Sequence, residues 1–332
     1  MRRTATLAFL AAFCLFSLVF ATQAMEIALV TKVTGIPFFD AINQGAQEAA
    51  KELGIIVSYV NPMEPTAEGQ IEVIEAQILR GVDAITISAN DPDALVPVCQ
   101  KAMQDGILVT SWDSGVAPAG NKLFVEPGDL AAVARLHLQL LAAHMNYQGK
   151  WAIVSAGAQM TVQNTFIKWL KEEMRKSQYS KMELIATVYG DDVMEKSYNE
   201  AMGLISAHPD LKGIISPTTI GVVGSAQAVQ DQGKQGKIAV NGLGLPSQNV
   251  GFLKNGAASE IILWNPVDVG YLTIYANHAL LAKKIEGKPG EVIEAGRLGK
   301  FTVKDQDGLP TVTTESNEVF TVGNVDEWAK KL

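Results

Sequence analysis

Short apolar runs alternate with amphipathic segments along most of the chain, and this pattern predicts a series of strand-then-helix units. The clearest unit has two apolar runs, Ala84–Ile87 and Ile107–Val109, whose length and β-branched content are typical of buried strands. Between them, Asp91 and Pro92 favour the start of a helix and Gly106 favours its end. Such a βαβ unit is right-handed with parallel strands, so the polar residues after both strands meet at one sheet edge.

The same alternation continues on both sides of this unit, which predicts parallel sheets covered by helices on both faces. The fold class is therefore α/β, with two doubly wound parallel-sheet lobes joined by a multi-strand hinge. We expect residues 25–125 and 265–296 to form the N-terminal lobe, and 126–264 and 297–332 to form the C-terminal lobe and tail. Removing a 24-residue leader from the 332 residues leaves 308, more than the roughly 250–300 at which a single core stops growing.

The first 24 residues have the pattern of a cleavable signal peptide. Arg2 and Arg3 precede the apolar stretch Leu7–Phe20, and small residues up to Ala24 offer cleavage points. The alternative, a retained membrane anchor, is disfavoured because the stretch is shorter than the roughly 20 residues of a spanning helix. We therefore expect an exported protein that is not a membrane protein after cleavage. Cys99 is then the one cysteine left, and it is expected to be a small buried apolar residue.

The net charge of −8 argues against nucleic acid and anionic membranes as partners. The chain has no G-x-S-x-G elbow, no phosphate-binding loop of the Walker type and no H-E-x-x-H motif. Its histidines are scattered over predicted helices, so neither a metal nor another cofactor is expected. Gly242-Leu-Gly244 follows a strand, but without a third glycine it is better interpreted as a tight turn than as a dinucleotide site.

Polar side chains gather instead where the predicted strands end, and they suit a neutral polyhydroxylated ligand. Asp113 is the expected hydroxyl acceptor and Lys32 the charged donor, each bond contributing about 1.5–3 kcal/mol. An aromatic face can support the apolar side of a sugar ring. The candidates are Lys32, Asn90, Asp113, Gln163, Asn164, Thr219 and Asn265, with Phe38, Phe39 and Trp264 nearby. Phe38 or Phe39 is expected to be the ring platform, and Trp264 fits either hinge packing or ligand stacking.

Several of these segments resemble the periplasmic sugar-binding proteins of ABC importers, of the ribose-binding type. The segments are Ile36–Asp40, Gly45–Gln47, Gly81–Ile85, Ser88–Asp93 and Trp112–Ser114. Others resemble the rhamnose-binding branch of that family, a neighbour of the branch that binds autoinducer-2. These are Val188–Asp192, Pro217–Thr219, Gly242–Ser247, Trp264–Pro266 and Ala295–Lys300. The resemblance covers nearly the whole chain after the leader.

The resemblance implies a hinged protein that closes on a sugar and delivers it to a membrane permease. Lys32, Asp113, Gln163, Pro217 and Thr219 match cleft positions of the autoinducer-2 branch. That branch has an aspartate at the position of Val162, which disfavours autoinducer-2. Ribose is disfavoured because Thr161–Phe166 lacks the arginine of the ribose type.

The sequence thus predicts a monomeric, non-catalytic receptor for rhamnose or a related deoxyhexose. One alternative is a receptor for autoinducer-2 or another sugar-like signal. A second is an exported enzyme acting on sugars, which would usually hold two carboxylates across its ligand. The enzyme is the weaker alternative, because Asp113 is the one carboxylate with a clear place in the expected cleft.

Overall fold

The computed structural model describes residues 24–314 and 317–332. The predicted signal peptide lies almost entirely outside the described residues. The strands are β1 (Glu26–Val30), β2 (Ile56–Val60), β3 (Ala84–Ile87), β4 (Leu108–Trp112), β5 (Phe124–Glu126), β6 (Gln148–Ser155), β7 (Lys181–Tyr189), β8 (Leu211–Ser216), β9 (Ala239–Leu243), β10 (Glu260–Trp264), β11 (Val292–Glu294), β12 (Lys300–Thr302), β13 (Lys304–Gln306), β14 (Leu309–Thr313) and β15 (Asn317–Phe320). The helices are α1 (Pro37–Leu53), α2 (Ala67–Arg80), α3 (Val96–Gln104), α4 (Leu130–His144), α5 (Thr161–Glu173), α6 (Met194–Ala207), α7 (Thr219–Asp231), α8 (Pro246–Asn255), α9 (Pro266–Leu281) and α10 (Val325–Trp328).

The strands form two main sheets, one in each lobe. The first has seven strands in the order β13-β14-β5-β4-β3-β1-β2, and the second has six in the order β15-β10-β9-β8-β6-β7. Pairing is parallel except at β13 and β15, which are antiparallel edge strands. Both sheets carry helices from the strand-to-helix crossovers, as buried parallel sheets require. The predicted α/β class with two parallel-sheet lobes is confirmed.

Three connections between described strands and helices join the lobes and form the hinge. The chain leaves the first sheet after β5, returns after β10 to α9, and passes from β14 in the first sheet to β15 in the second. A hinge of this kind lets two rigid lobes rotate while each keeps its own core.

The tail differs from the prediction that placed all of 297–332 with the second lobe. β13 and β14 belong to the first sheet, where Thr311 of β14 is in register with Phe124 of β5. Pairing with β14 satisfies the backbone groups at the edge of β5, which would otherwise be open. From β15 onward the tail does lie on the second lobe.

Two glycines bring α1 and α9 into close contact in the first lobe. A Cβ atom on Gly45 would lie 1.8 Å from the carbonyl oxygen of Val267, and one on Gly270 would lie 1.9 Å from that of Ile42. The helix backbones therefore meet where no side chain could fit between them. This contact fixes α1, whose first turn carries Phe38 and Phe39.

The helix predicted to begin at Pro92 begins instead at Val96. Asp91 Oδ1 accepts hydrogen bonds from the backbone N–H groups of Asp93 and Ala94 at 3.0 and 2.9 Å. Asp91 thus closes a local turn before the helix rather than capping its first residue. This is the kind of short-range bond by which aspartate competes with helix formation.

Cys99 is fully buried and free, as predicted, and burial raises the pKa of its thiol to about 12.

Of the helices that the structure describes, none combines the length and the apolar character needed to cross a membrane.

Candidate functional site

A cavity lies between the lobes, at the carboxyl ends of the strands of both sheets. The lining residues come from both lobes: Lys32, Ile36, Phe38, Phe39, Asp113, Val162, Gln163, Asp192, Pro217, Thr218, Thr219, Leu243, Leu263 and Trp264. A ligand here would be enclosed by the two lobes together.

Lys32 and Asp113 form a buried ion pair on the first-lobe wall, with Nζ 3.1 Å from Oδ2. Lys32 follows β1 and Asp113 follows β4, so the shared edge of the parallel sheet brings them together. Asp113 has a left-handed backbone with φ of 55°, a conformation that aspartate tolerates better than most residues. Ser88 Oγ donates a hydrogen bond to Asp113 Oδ2 at 2.8 Å. Among the described residues, Oδ1 of Asp113 has no such partner, so it is available to a ligand hydroxyl.

The second-lobe wall contributes Gln163, from the first turn of α5, and Asp192, after β7. Gln163 Nε2 donates to the carbonyl oxygen of Pro217 at 3.1 Å, which leaves Oε1 buried and without a partner among the described residues. Asp192 Oδ1 accepts a hydrogen bond from Thr218 Oγ1. Burial raises the pKa of Asp192, while nearby Lys32 and the Thr218 hydrogen bond oppose the rise.

Aromatic rings cover another side of the cavity. Phe38 and Phe39 both line it, with ring centroids 5.5 Å apart. Phe38 meets Trp264 edge to face at 6.3 Å, and Phe39 meets Trp112 at 5.9 Å. Trp264, the last residue of β10, therefore lines the cavity and also packs at the hinge. Both roles that the sequence left open for Trp264 are compatible with its position.

Eight of the predicted site residues line the cavity: Lys32, Phe38, Phe39, Asp113, Gln163, Pro217, Thr219 and Trp264. Three others do not. Asn90 is buried and donates through Nδ2 to the carbonyl oxygen of Lys32 at 2.8 Å, so it supports the lysine backbone. Asn164 is exposed and donates to the carbonyl oxygen of Ala158. Asn265 Oδ1 accepts from Val267 N at 3.0 Å and caps α9.

The prediction missed Asp192, which is a second carboxylate in the cavity. The prediction that Asp113 is the one carboxylate with a clear place in the cavity is wrong, because Asp192 lines it as well. Asp191 and Asp192 directly follow Gly190 at the end of β7, and both have positive φ, 52° and 54°. Asp113 was predicted because it follows a strand, and the same criterion applies to Asp192. The apolar residues Ile36, Leu243 and Leu263 were also missed, because an apolar residue at a strand end gives no signal of its own.

Comparison with known proteins agrees with the fold and identifies the family. Residues 27–285 match the family described as periplasmic binding protein domain. A solved ABC transporter solute-binding protein from Clostridium phytofermentas with bound L-rhamnose is 32% identical, with a TM-score of 0.90 over 94% of this chain and 100% of that one. The D-ribose/D-allose-binding protein of Pseudomonas aeruginosa is 30% identical over 226 residues, 65% of this chain and 70% of its own.

A solved LsrB from Clostridium saccharobutylicum in complex with AI-2 shares the fold, with a TM-score of 0.87 at 23% identity over 92% of this chain and 99% of that one. The chain belongs to the periplasmic binding protein family, and within it to the sugar-binding solute-binding proteins of ABC transporters. Members of this family are non-enzymatic components of transport, so the prediction that the chain is not an enzyme is confirmed. The second carboxylate in the cavity therefore does not revive the enzyme alternative.

Proposed function

We propose that this protein binds L-rhamnose or a related 6-deoxyhexose in the cavity between its lobes and delivers it to an ABC permease. The observation that carries the proposal is that the cavity wall combines two kinds of side chain. Lys32, Asp113, Gln163 and Asp192 offer polar groups to ring hydroxyls, and several apolar side chains also line the cavity. The L-rhamnose bound to the 32% identical relative supports the same ligand class.

The apolar lining residues, Ile36, Val162, Leu243 and Leu263, suit the methyl group that distinguishes a 6-deoxyhexose. Burial of a methyl-sized group contributes about 0.8 kcal/mol. A hydroxyl buried at the same place without a partner costs about 1–3 kcal/mol. The two effects together favour a deoxyhexose over its 6-hydroxy analogue by roughly 20- to 600-fold.

Closure of the lobes supplies the signal that a permease needs to distinguish loaded from empty protein. Thr161 Oγ1, on the second lobe, donates to the carbonyl oxygen of Gly115, on the first lobe, at 3.2 Å. Together with the contact between Phe38 and Trp264, this bond holds the two sides of the cavity together. A monomer acting in the periplasm, after loss of residues 1–24, is part of this proposal.

The test is calorimetric titration of the purified protein with sugars that differ at one position. L-Rhamnose is compared with L-mannose, which adds a hydroxyl at C6, and with L-lyxose, which lacks C6. We expect the tightest binding for L-rhamnose, weaker binding for L-lyxose and the weakest for L-mannose. Equal affinity for L-mannose and L-rhamnose would contradict the proposed role of the apolar lining residues.

A receptor for autoinducer-2 or another sugar-like signal is the second candidate. It is favoured because Lys32, Asp113, Gln163, Pro217 and Thr219 all line the cavity, as the resemblance to that branch implies. Against it, the position of that branch's aspartate is occupied by Val162, an apolar and almost fully buried side chain of the cavity wall. Titration with autoinducer-2 decides between the two candidates. Saturable binding of autoinducer-2 without any binding of L-rhamnose would favour a signal receptor over a sugar uptake protein.

A further inference from the structure

The charges that line the cavity do not balance. Among the described residues, the lining contains one cation, Lys32, and two carboxylates, Asp113 and Asp192. Lys32 already pairs with Asp113, and 2% and 5% of these two side chains is exposed. Asp192 comes from the opposite lobe, so it faces this pair across the space that a ligand would fill. A neutral sugar brings no charge to compensate the second carboxylate.

Among the described residues, the surroundings of Asp192 do not supply another cation. Thr218 Oγ1 donates to Oδ1 of Asp192, and Oδ2 has no hydrogen-bond partner among the described residues. The adjacent Asp191 is itself negative, and the ammonium group of Lys196 on α6 is engaged by Asp191 rather than by Asp192. Lys32 and Asp113 are the charged groups that face Asp192 from the first lobe.

We propose that Asp192 takes up a proton when the lobes close on a neutral sugar, and that its protonated carboxyl group then donates a hydrogen bond to a ligand hydroxyl. This inference rests on the proposed function. The proton comes from the solvent and is held on the oxygen that Thr218 does not engage. In the closed state the cavity then contains one positive and one negative group, which pair with each other, and a neutral donor.

The direction of the linkage follows from the position of Asp192. With the lobes apart its carboxyl group faces water, where the ordinary pKa is 3.8. Closure buries the group, which raises its pKa. Between pH 3.8 and the raised pKa of the closed state, binding consumes a proton. The affinity for the sugar therefore falls as the pH rises, by up to about tenfold per pH unit. Above the raised pKa the affinity no longer changes with pH through this group.

The test is titration with L-rhamnose in buffers of different ionisation enthalpy, at several pH values from about 4 to 7. The dependence of the measured heat on the buffer gives the number of protons bound per ligand. We expect uptake of up to one proton by the wild-type protein. Asp192→Asn keeps an acceptor for Thr218 and places an amide donor at the position of the proton. It should therefore bind L-rhamnose without proton uptake and with an affinity that does not change with pH.

Asp191→Asn is the matched control, because Asp191 is the neighbouring carboxylate but lies outside the cavity lining. It should still take up protons on binding, although the loss of the neighbouring charge lowers the raised pKa of Asp192 slightly. If Asp192 had a purely structural role, Asp192→Asn would change the affinity for L-rhamnose, but its binding heat would still depend on the buffer. Wild-type binding without any buffer dependence, or equal proton uptake by Asp192→Asn and the wild type, would overturn the inference and leave sugar binding intact. Failure of every sugar to bind would instead remove the proposed function and this inference with it.

Discussion

The ammonium group of Lys32 lies 3.1 Å from Asp113 Oδ2, and both side chains are almost fully buried. The two residues are 81 positions apart in sequence and meet because β1 and β4 end at the same edge of the first sheet. Two buried charges cost several kcal/mol each to desolvate, and their attraction repays this only while both are present. The pair therefore links the stability of the first lobe to the chemistry of the cavity.

Replacement of one member of this pair should affect both stability and binding. Lys32→Met leaves Asp113 buried without its counter-ion, which should lower the free energy of unfolding by about 3–5 kcal/mol. It also removes a charged donor to the ligand, which should weaken L-rhamnose binding by roughly 10- to 150-fold. Denaturant unfolding and calorimetry measure the two effects.

The double variant Lys32→Met with Asp113→Asn separates the two effects. It removes both charges, and asparagine tolerates the left-handed backbone at position 113, so part of the lost stability should return. Binding should stay weak, because neither charged group remains. If the double variant is no more stable than Lys32→Met alone, the pair does not act as a compensated buried unit.

The contact between α1 and α9 should not tolerate a side chain at Gly45. A Cβ atom there would lie 1.8 Å from the carbonyl oxygen of Val267, so Gly45→Ala must push the two helices apart. Overpacking of this kind costs about 1–3 kcal/mol or more. Thermal unfolding should show a clear loss of stability, and binding should weaken because α1 carries Phe38 and Phe39.

Gly203→Ala is the control for this substitution. Gly203 also lies inside a helix, α6, but a Cβ atom there would meet nothing within 4 Å. The change should stabilise the protein by about 0.5–1 kcal/mol, because alanine loses less backbone entropy on folding. Equal effects of the two substitutions would show that the helix contact is looser than the structure has it.

The positions of Lys32 and Asp113 could be predicted from the sequence because they depend on one rule of parallel sheets. Strand ends meet at a single edge, and a polar residue directly after an apolar run lies there. The rule does not say which way a polar side chain turns. Asn90 and Asn265 also follow strands, but their amide groups bind the backbone of neighbouring loops and of α9. The sequence alone does not distinguish a polar residue that binds the nearby backbone in this way from one that binds a ligand.

The tail could not be assigned from the sequence for a different reason. β13 and β14 are short, and the pattern within them does not say which open sheet edge they pair with. The choice of β5 as the partner of β14 depends on residues that are distant in sequence. Periodicity within residues 297–313 contains no information about it.

His137 should make the stability of the second lobe depend on pH. Its ring is fully buried beside Phe166, and neither ring nitrogen has a hydrogen-bond partner among the described residues. Burial lowers its pKa from 6.5 to about 3. Below pH 6.5 the unfolded chain binds a proton that the folded protein excludes, so stability should fall as the pH falls, by up to about 1.4 kcal/mol per pH unit.

His137→Leu tests this origin of the pH dependence, because leucine cannot bind the proton. Urea unfolding at several pH values should show a variant that loses less stability than the wild type between about pH 6.5 and 5. His208→Gln is the control, since the ring of His208 is only partly buried. A His137→Leu variant that loses as much stability as the wild type would assign the effect to other groups.

The hydrogen bond from Thr161 Oγ1 to the carbonyl oxygen of Gly115 joins the lobes beside the cavity. Thr161→Val keeps the shape of the side chain but removes the donor, so the closed state should lose about 0.5–1.5 kcal/mol. L-Rhamnose binding should weaken by roughly 2- to 13-fold, mainly through faster dissociation, because closure retains the ligand. Thr161→Ser keeps the hydroxyl and should bind nearly as the wild type does. Stopped-flow dissociation rates measure the difference, and equal rates for the valine and serine variants would show that this bond does not hold the lobes closed.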